Sequence, residues 1–396
     1  MYTKPAPSGA EGRFARKSGN SRPFISRNKI LTSLAISLAL ATVALPASAT
    51  NWWSLTPTVS IGSAVVNVRN FGAMGNGATD DTAAIQAAIN ALPSTGGTVV
   101  VPDGTYMINA LKGISLRSHT RLHLFGSAYL QAIPNSASRY WVVKAWGVNN
   151  VEIVGGNVVG ERTQHQGTYG EWGYGINISG SSNVYVHDIH VSNSWGDGLL
   201  IGGTGSGRTL VRSSNITFNR VTSFNNRRQG LSITPATQVY VVNSSFSSSN
   251  GTAPQAGIDI EPQTQGTTDT IRLENDTLAS NVGNGLEVHD FVSGLVLNKV
   301  TSQNNRGYGV FTNSPNGVTI TNSTLSQNYM YGVGIAGTTQ NVQLVGNTIN
   351  WNGDSWFYTH NVSIFTPGWV PRDISIASTA GNVTQSNNLV SPLRTK

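Results

Sequence analysis

The residues best suited to chemistry lie in AGIDIEPQ, Ala256 to Gln263, where Asp259 and Glu261 alternate with Ile258 and Ile260. In a strand, alternate side chains share a face, so the isoleucines turn to one side and both carboxylates to the other. The stretch GLEVHD, from Gly285, repeats the pattern with Glu287 and His289 and continues to Asp290. Paired carboxylates can act as acid, base or nucleophile at a glycosidic bond, and an imidazole among them adds a proton carrier. A single outward acidic pair is ordinarily a solvated face, so the case depends on what brings two such pairs together.

The elements that would do so are repeats. From about residue 142, short apolar alternations are separated by Asn, Ser, Thr and Gly, each opening on a glycine: GINIS, GLLIG, GLSIT, GIDIE, GLEVH, GVFTN and GVGIA. Those glycines, Gly175, Gly198, Gly230, Gly257, Gly285, Gly309 and Gly332, are spaced 23, 32, 27, 28, 24 and 23 residues apart. Periods of this size with short strands and no periodic helices predict a parallel β-helix, with Asn in its left-handed turns and side-chain ladders. Stacking the repeats gives two inward apolar columns and two outward ones. Asp259 falls beside Glu287, and Glu261 beside His289. Neighbouring strands lie about 4.8 Å apart and alternate residues about 6.6 Å apart, so three carboxylates and an imidazole crowd one patch. Such crowding is destabilising unless protons, a cation or Arg compensate, which points to a use. By these spacings Asp259 with Glu287 suits retaining hydrolysis, and Asp259 with Glu261 suits inverting hydrolysis.

Other residues extend the candidate site. Asp197 precedes Gly198, and Arg227 and Arg228 occupy the next turn, where they can neutralise acids or clamp an anionic sugar. The insertion GERTQHQGTYGEWGYG, Gly160 to Gly175, supplies Arg162, His165, Glu171, Trp172 and Tyr174 as a substrate wall. Trp351, Trp356, Phe357, Tyr358 and Trp369 read as cover for the last coil, because an open solenoid end needs a cap.

The whole chain of 396 residues carries a formal charge of +7, but residues 1–50 hold seven basic residues and one acid, leaving 18 basic and 17 acidic residues after them. That near balance carries no electrostatic footprint for nucleic acid. The basic front, the apolar run Ile30 to Pro46 and Ala47-Ser48-Ala49 read as a signal peptide over 1–49, cleaved near Thr50, with export to the periplasm or beyond. No later segment is apolar enough to span a bilayer. The chain has no Cys, which removes disulfides and thiolate metal sites. Residues 50–396 are expected to form one β-helix domain, with a capping helix over about 79–92, regular coils over about 142–350 and a C-terminal cap over 351–396. Thr79 or Asp80 can cap the helix, and the Asp80-Asp81 pair reads as structural, satisfied by free helix N–H groups.

The segment NFGAMGNGATDDTAAIQAAI, followed by GGTVVVPDGTY, resembles the opening of the pectate-lyase-like superfamily, which includes pectin-degrading enzymes, mannuronan epimerases and phage tail spikes. With the repeats behind it the resemblance covers most of the chain after residue 50. It implies a right-handed parallel β-helix whose first coil is capped by the helix. GDGLLI at Gly196 is similar to a polygalacturonase-like segment, although RQGLSIT on the adjoining coil lacks the acids of that pattern. GIDIEPQ resembles mannuronan epimerases in its Asp, but those carry His where this chain has Glu261 and Tyr where it has Ala256.

The leading expectation is hydrolysis of an extracellular polysaccharide, acidic or neutral, by Asp259, Glu261, Glu287 and His289, with no cofactor. The alternative is β-elimination or epimerisation on a uronate, using His289, Arg228 or Tyr174 with calcium on Asp259, Glu287 and Asp290. A glycan-binding β-helix without catalysis is the third reading. Substrate, linkage and oligomeric state are not legible in the sequence.

Overall fold

A computed structural model describes residues 51–262, 266–353 and 373–391. The leader over 1–49 and the aromatic residues Trp356, Phe357, Tyr358 and Trp369 lie outside the described residues.

Each repeat folds into one coil of an all-β parallel β-helix. The face that carries the site has ten strands: β1 (Ile114–Ser115), β2 (Arg139–Trp146), β3 (Trp172–Ser179), β4 (Leu199–Gly202), β5 (Leu231–Ile233), β6 (Ile258–Ile260), β7 (Leu286–Val288), β8 (Val310–Asn313), β9 (Val333–Ala336) and β10 (Ile374–Ile376), each parallel to the next. The other strands form two further faces, made continuous by the long strands Ser182–Ser192 and Ser213–Phe224, which pair with both. The inward columns are apolar and sealed: Ile176, Leu199, Leu231, Ile258, Leu286, Val310 and Val333 are all buried, as are Ile178, Ile201, Ile233, Ile260 and Val288. Burying each such side chain contributes about 1.5–3 kcal/mol, so the stacked isoleucines and leucines set the register.

The repeated glycine has a steric cause. A Cβ on Gly257 would stand 2.7 Å from the carbonyl oxygen of Gly285, and one on Gly285 would stand 2.6 Å from that of Gly309. The coils approach too closely there for any side chain. The turns use left-handed residues, many of them Asn, such as Asn225, Asn243 and Asn275. Inside the stack Asn281, Asn305, Asn328 and Asn352 form a ladder, each Nδ2 donating to the next side-chain oxygen, ending on Asp373. These bonds satisfy backbone and side-chain groups that would otherwise be buried unpaired.

The stack is longer than the glycine repeat indicates. It begins with strand Ala64–Asn67, which pairs with Gly97–Val101 and through it with Thr120–Leu124, well before residue 142. The opening glycine recurs there as Gly113, before Ile114, and is replaced by Val142 on the coil between it and Gly175. At the other end residues 373–391 form a further coil, with β10 on β9 and Gly381–Ser386 on Gln340–Val345, rather than a cap alone. Helix α1 spans Thr82–Ala91, shorter than the expected 79–92, and buries Ile85, Ala88 and Ile89 against the first coils. Its N-cap is Asp81, not Thr79 or Asp80. Asp81 instead accepts from the backbone N–H of Met74 and Gly75, while Asp80 accepts from the N–H of Thr82, so both acids have structural partners.

Residues 51–62 lie along the coils as a strap. The Arg272 guanidinium stands 4.6 Å over the Trp53 ring, the Tyr185 hydroxyl and Asn219 Nδ2 both donate to the Leu55 carbonyl at 2.9 Å, and the Ser60 carbonyl meets His119 Nδ1 at 2.9 Å. Among the described residues no helix is long and apolar enough to cross a membrane.

Candidate active site

Two outward columns build the site. One runs Lys144, Asn177, Leu200, Ser232, Asp259, Glu287, Phe311, Gly334 by strand register. The other contains Trp146, Ser179 and Gly202 and continues past the ends of β5 and β6 to Thr234 and Glu261. One cleft of about 260 Å³ follows both columns from Trp141 and Trp146 to Asp259 and Glu261.

At its acidic end, Asp259 is 1% exposed. Its Oδ2 accepts from Gln229 Nε2 at 2.6 Å. Its Oδ1 makes no hydrogen bond, but stands 3.4 Å from His289 Nε2, which also lies 3.3 Å from Glu287 Oε1. The ring therefore bridges the two carboxylates, and their close contact, Asp259 first, raises its pKa to about 10 against the cost of burial. His289 is an imidazolium at neutral pH. Glu287 also accepts from Asn284 Nδ2 at 2.8 Å. Glu261 lies beyond the end of β6, so strand spacing does not fix its side chain, and one oxygen each of Asp259 and Glu261 and one nitrogen of His289 all lie within 4.8 Å of one another. Alternation along a strand alone would set Asp259 and Glu261 about 6.6 Å apart, and here one oxygen of each comes closer than that.

This trio is the group of described residues that could hold a cation. The calcium set expected from the sequence differs: Asp290 sits exposed in the following turn. An imidazole nitrogen among the donors suits a borderline transition metal better than calcium, which prefers all-oxygen cages. The residues present therefore do not fit calcium.

Asp197 is also 1% exposed and lies in the cleft wall. It accepts from Ser232 Oγ at 2.8 Å, from the Gln229 N–H at 3.3 Å and from Arg228 Nη1 at 3.3 and 3.4 Å. Burial pushes its carboxyl up to about 6, with Arg228 and Ser232 opposing and Asp259 adding to the rise. Gln229 contacts both acids and spaces them. Arg228 is held between Asp197 and Glu171, the latter at 3.3 Å without hydrogen-bond geometry, so its charge is already matched. Tyr174 lines the cleft nearly buried, and burial, with Asp197 nearby, pushes its hydroxyl well above the usual range. Trp172 lines the same cleft.

Three expected substrate contacts are framework instead. Arg162 donates to the Asn225 carbonyl and to Asn250 Oδ1. His165, with a side chain 1% exposed, pairs with buried Glu161 and stacks on Trp195 at 3.8 Å. Arg227 lies over Trp195 at 3.8 Å and donates to the Gly170 carbonyl. These contacts tie the 160–175 insertion to the coils, since long polar side chains on a crossing loop find backbone carbonyls before they find solvent. Sequence reasoning missed Arg139, Trp141 and Trp146, which line the other end of the cleft, and Lys144, whose Nζ lies against both indoles there. Sliding the column alignment one coil back would have found them, but that coil has Val142 where the later ones have glycine.

Two family models match the chain: "Rhamnogalacturonase A/epimerase, pectate lyase-like" over residues 65–162 and "Right handed beta helix region" over residues 174–349. With the coil architecture, these matches make the chain a member of the pectate-lyase-like superfamily of right-handed parallel β-helices. It is 32% identical over 271 residues to YclG of Bacillus subtilis, a protein named as uncharacterised, covering 62% of this chain and 44% of YclG. It is 28% identical over 278 residues to the mannuronan C5-epimerase AlgE2 of Azotobacter vinelandii, covering 68% of this chain and 22% of AlgE2. The chain thus spans less than half the length of either relative. Its fold is similar to the A-module of the mannuronan C5-epimerase AlgE6 of Azotobacter vinelandii, with TM-score 0.60, 22% identity and coverage of 82% of this chain and 90% of that one.

Proposed function

We propose that the chain is an exported carbohydrate-active enzyme that hydrolyses glycosidic bonds in a uronate-containing polysaccharide with retention of configuration. The observation that carries this reading is the Asp259–Glu261 pair, whose oxygens approach within 4.8 Å at the cleft floor. Glu261 gives its proton to the leaving glycosidic oxygen while the Asp259 carboxylate attacks the anomeric carbon, forming a glycosyl ester. Ionised Glu261 then takes a proton from water, whose oxygen displaces Asp259 from the sugar. The His289 imidazolium, bridging Asp259 and Glu287, holds the Asp259 side chain in place. The aromatic and cationic far end of the cleft favours an acidic sugar chain.

A second reading, C5-proton abstraction leading to elimination or epimerisation, is favoured by the AlgE2 relative. The groups expected to serve it are poorly poised: His289 is protonated, Tyr174 holds its proton tightly, and Arg228 is already paired. Under this reading Glu261 is the base.

A panel of uronate-containing and neutral polysaccharides separates the readings. Hydrolysis gives new reducing ends without the ultraviolet absorbance of unsaturated uronates, elimination gives both, and epimerisation changes the C5 proton signals in NMR without cleavage. Binding with none of these signals leaves a non-catalytic glycan-binding β-helix. Asp259→Asn and Glu261→Gln should each lower turnover on the order of 10³-fold, and retained turnover in both removes the hydrolytic assignment. Export rests on the basic, apolar and Ala47-Ser48-Ala49 leader pattern. N-terminal sequencing of protein recovered outside the cytoplasm should read from within a few residues of Thr50, and an intact leader counts against it.

A further inference from the structure

Lys144 occupies the same outward column as Asp259, four strand steps away through Asn177, Leu200 and Ser232. Its Nζ lies 4.8 Å from the Trp141 ring centre and 5.1 Å from that of Trp146. The two rings stand 4.6 Å apart at 53°, and Trp146 is fixed by its Nε1 donating to Asn177 Oδ1 at 2.7 Å. At the start of the same strand, Arg139 lies 5.0 Å over Trp172 of the next one. Among the described residues neither Lys144 nor Arg139 has an ion pair, whereas Arg228 near the acids has two. Burial lowers the Lys144 pKa, so a carboxylate brought beside it restores a stabilising partner. Trp146 and Trp172 keep 40% and 37% of their surface exposed, which leaves ring face for a sugar. The floor between the two ends carries Ser179 and Gly202 in one column and Asn177, Leu200 and Ser232 in the other, with no charged side chain in either, so an extended chain can lie along it.

We propose that Lys144, clasped by Trp141 and Trp146, forms a distal subsite that binds the carboxylate of a uronate ring about 19 Å from the cleavage centre, the length of four strand spacings. The protein thereby grips the interior of an acidic polymer and cuts it at a distance from that grip. This deepens the function proposed above and rests on it for the position of the cut, though not for binding itself.

The test is calorimetric binding of size-graded oligogalacturonates and oligomannuronates to the full chain, to Lys144→Met, Lys144→Arg and Trp146→Ala, with thermal melting as the check on folding. Wild-type affinity for at least one uronate should rise as the oligomer becomes long enough to span the cleft, and fall with added salt. Lys144→Met and Trp146→Ala should lose about tenfold or more on the long oligomer and flatten the length dependence. Lys144→Arg should restore most of it. Equal affinity of wild type and a folded Lys144→Met for the long oligomer, a length dependence that survives the substitution, or no wild-type binding of either uronate overturns the proposal. If the long oligomer binds through Lys144 and no chain is cut, the hydrolytic reading fails while the subsite stands.

Discussion

At the level of single residues, the site turns on a histidine that is not free to accept protons. His289 bridges Asp259 and Glu287, and its pKa rises from 6.5 to about 10 in the folded protein. The folded state therefore holds a proton that the unfolded chain releases, and the stability this gives is complete below the unfolded pKa and lost as pH rises through about 10. Melting measured across this range should show wild-type stability declining between pH 7 and 10 by on the order of 2 kcal/mol. His289→Gln should abolish that slope, and a slope unchanged in the variant would mean that other groups carry it. The sequence placed Asp259 beside Glu287 correctly, because strand alternation and repeat length fix which columns meet. It did not fix the side chain of Glu261, whose position past the strand end frees it from the pleat. It could not show that Arg162, His165 and Arg227 are framework, since the partners of a long polar side chain on a crossing loop are set only by the folded backbone.

Among the elements, the inward columns were the most legible feature. Apolar residues at alternate positions, recurring at each coil, leave one register that buries them all, and the observed pairing of Ile258 with Leu286 and Ile260 with Val288 follows it. The recurring glycine marks where a Cβ would meet the next coil's carbonyl or an interior Ser or Asn side chain, so it served as an anchor for alignment. Where that contact is relaxed, as at Val142, the anchor disappears although the strand remains. For this reason the coil that carries Lys144 and Trp146 escaped a repeat search keyed to glycine, and with it the link back to Gly113. The capping helix was legible in type, and its first turn shifted because Asp81 is drawn to the N–H groups of Met74 and Gly75 rather than to the helix.

In the molecule as a whole, a stack of coils is quasi-one-dimensional: each layer feels its neighbours, and damage at one layer need not reach another. Nothing in the periodic sequence foretells the strap, because residues 51–62 carry no repeat and contact coils that lie far apart along the chain. Those contacts run from His119 through Tyr185 and Asn219 to Arg272. A link of this kind changes the statistics of unfolding, for layers that would open independently must now open together or release the strap first. Removing residues 51–60 should broaden or split the calorimetric melting transition, and hydrogen exchange should quicken most in the coils around Tyr185 and Asn219. A truncated chain that melts in one transition as sharp as the intact protein's would place cooperativity in the stack itself; otherwise the first few residues of the fold act as its long-range coupling.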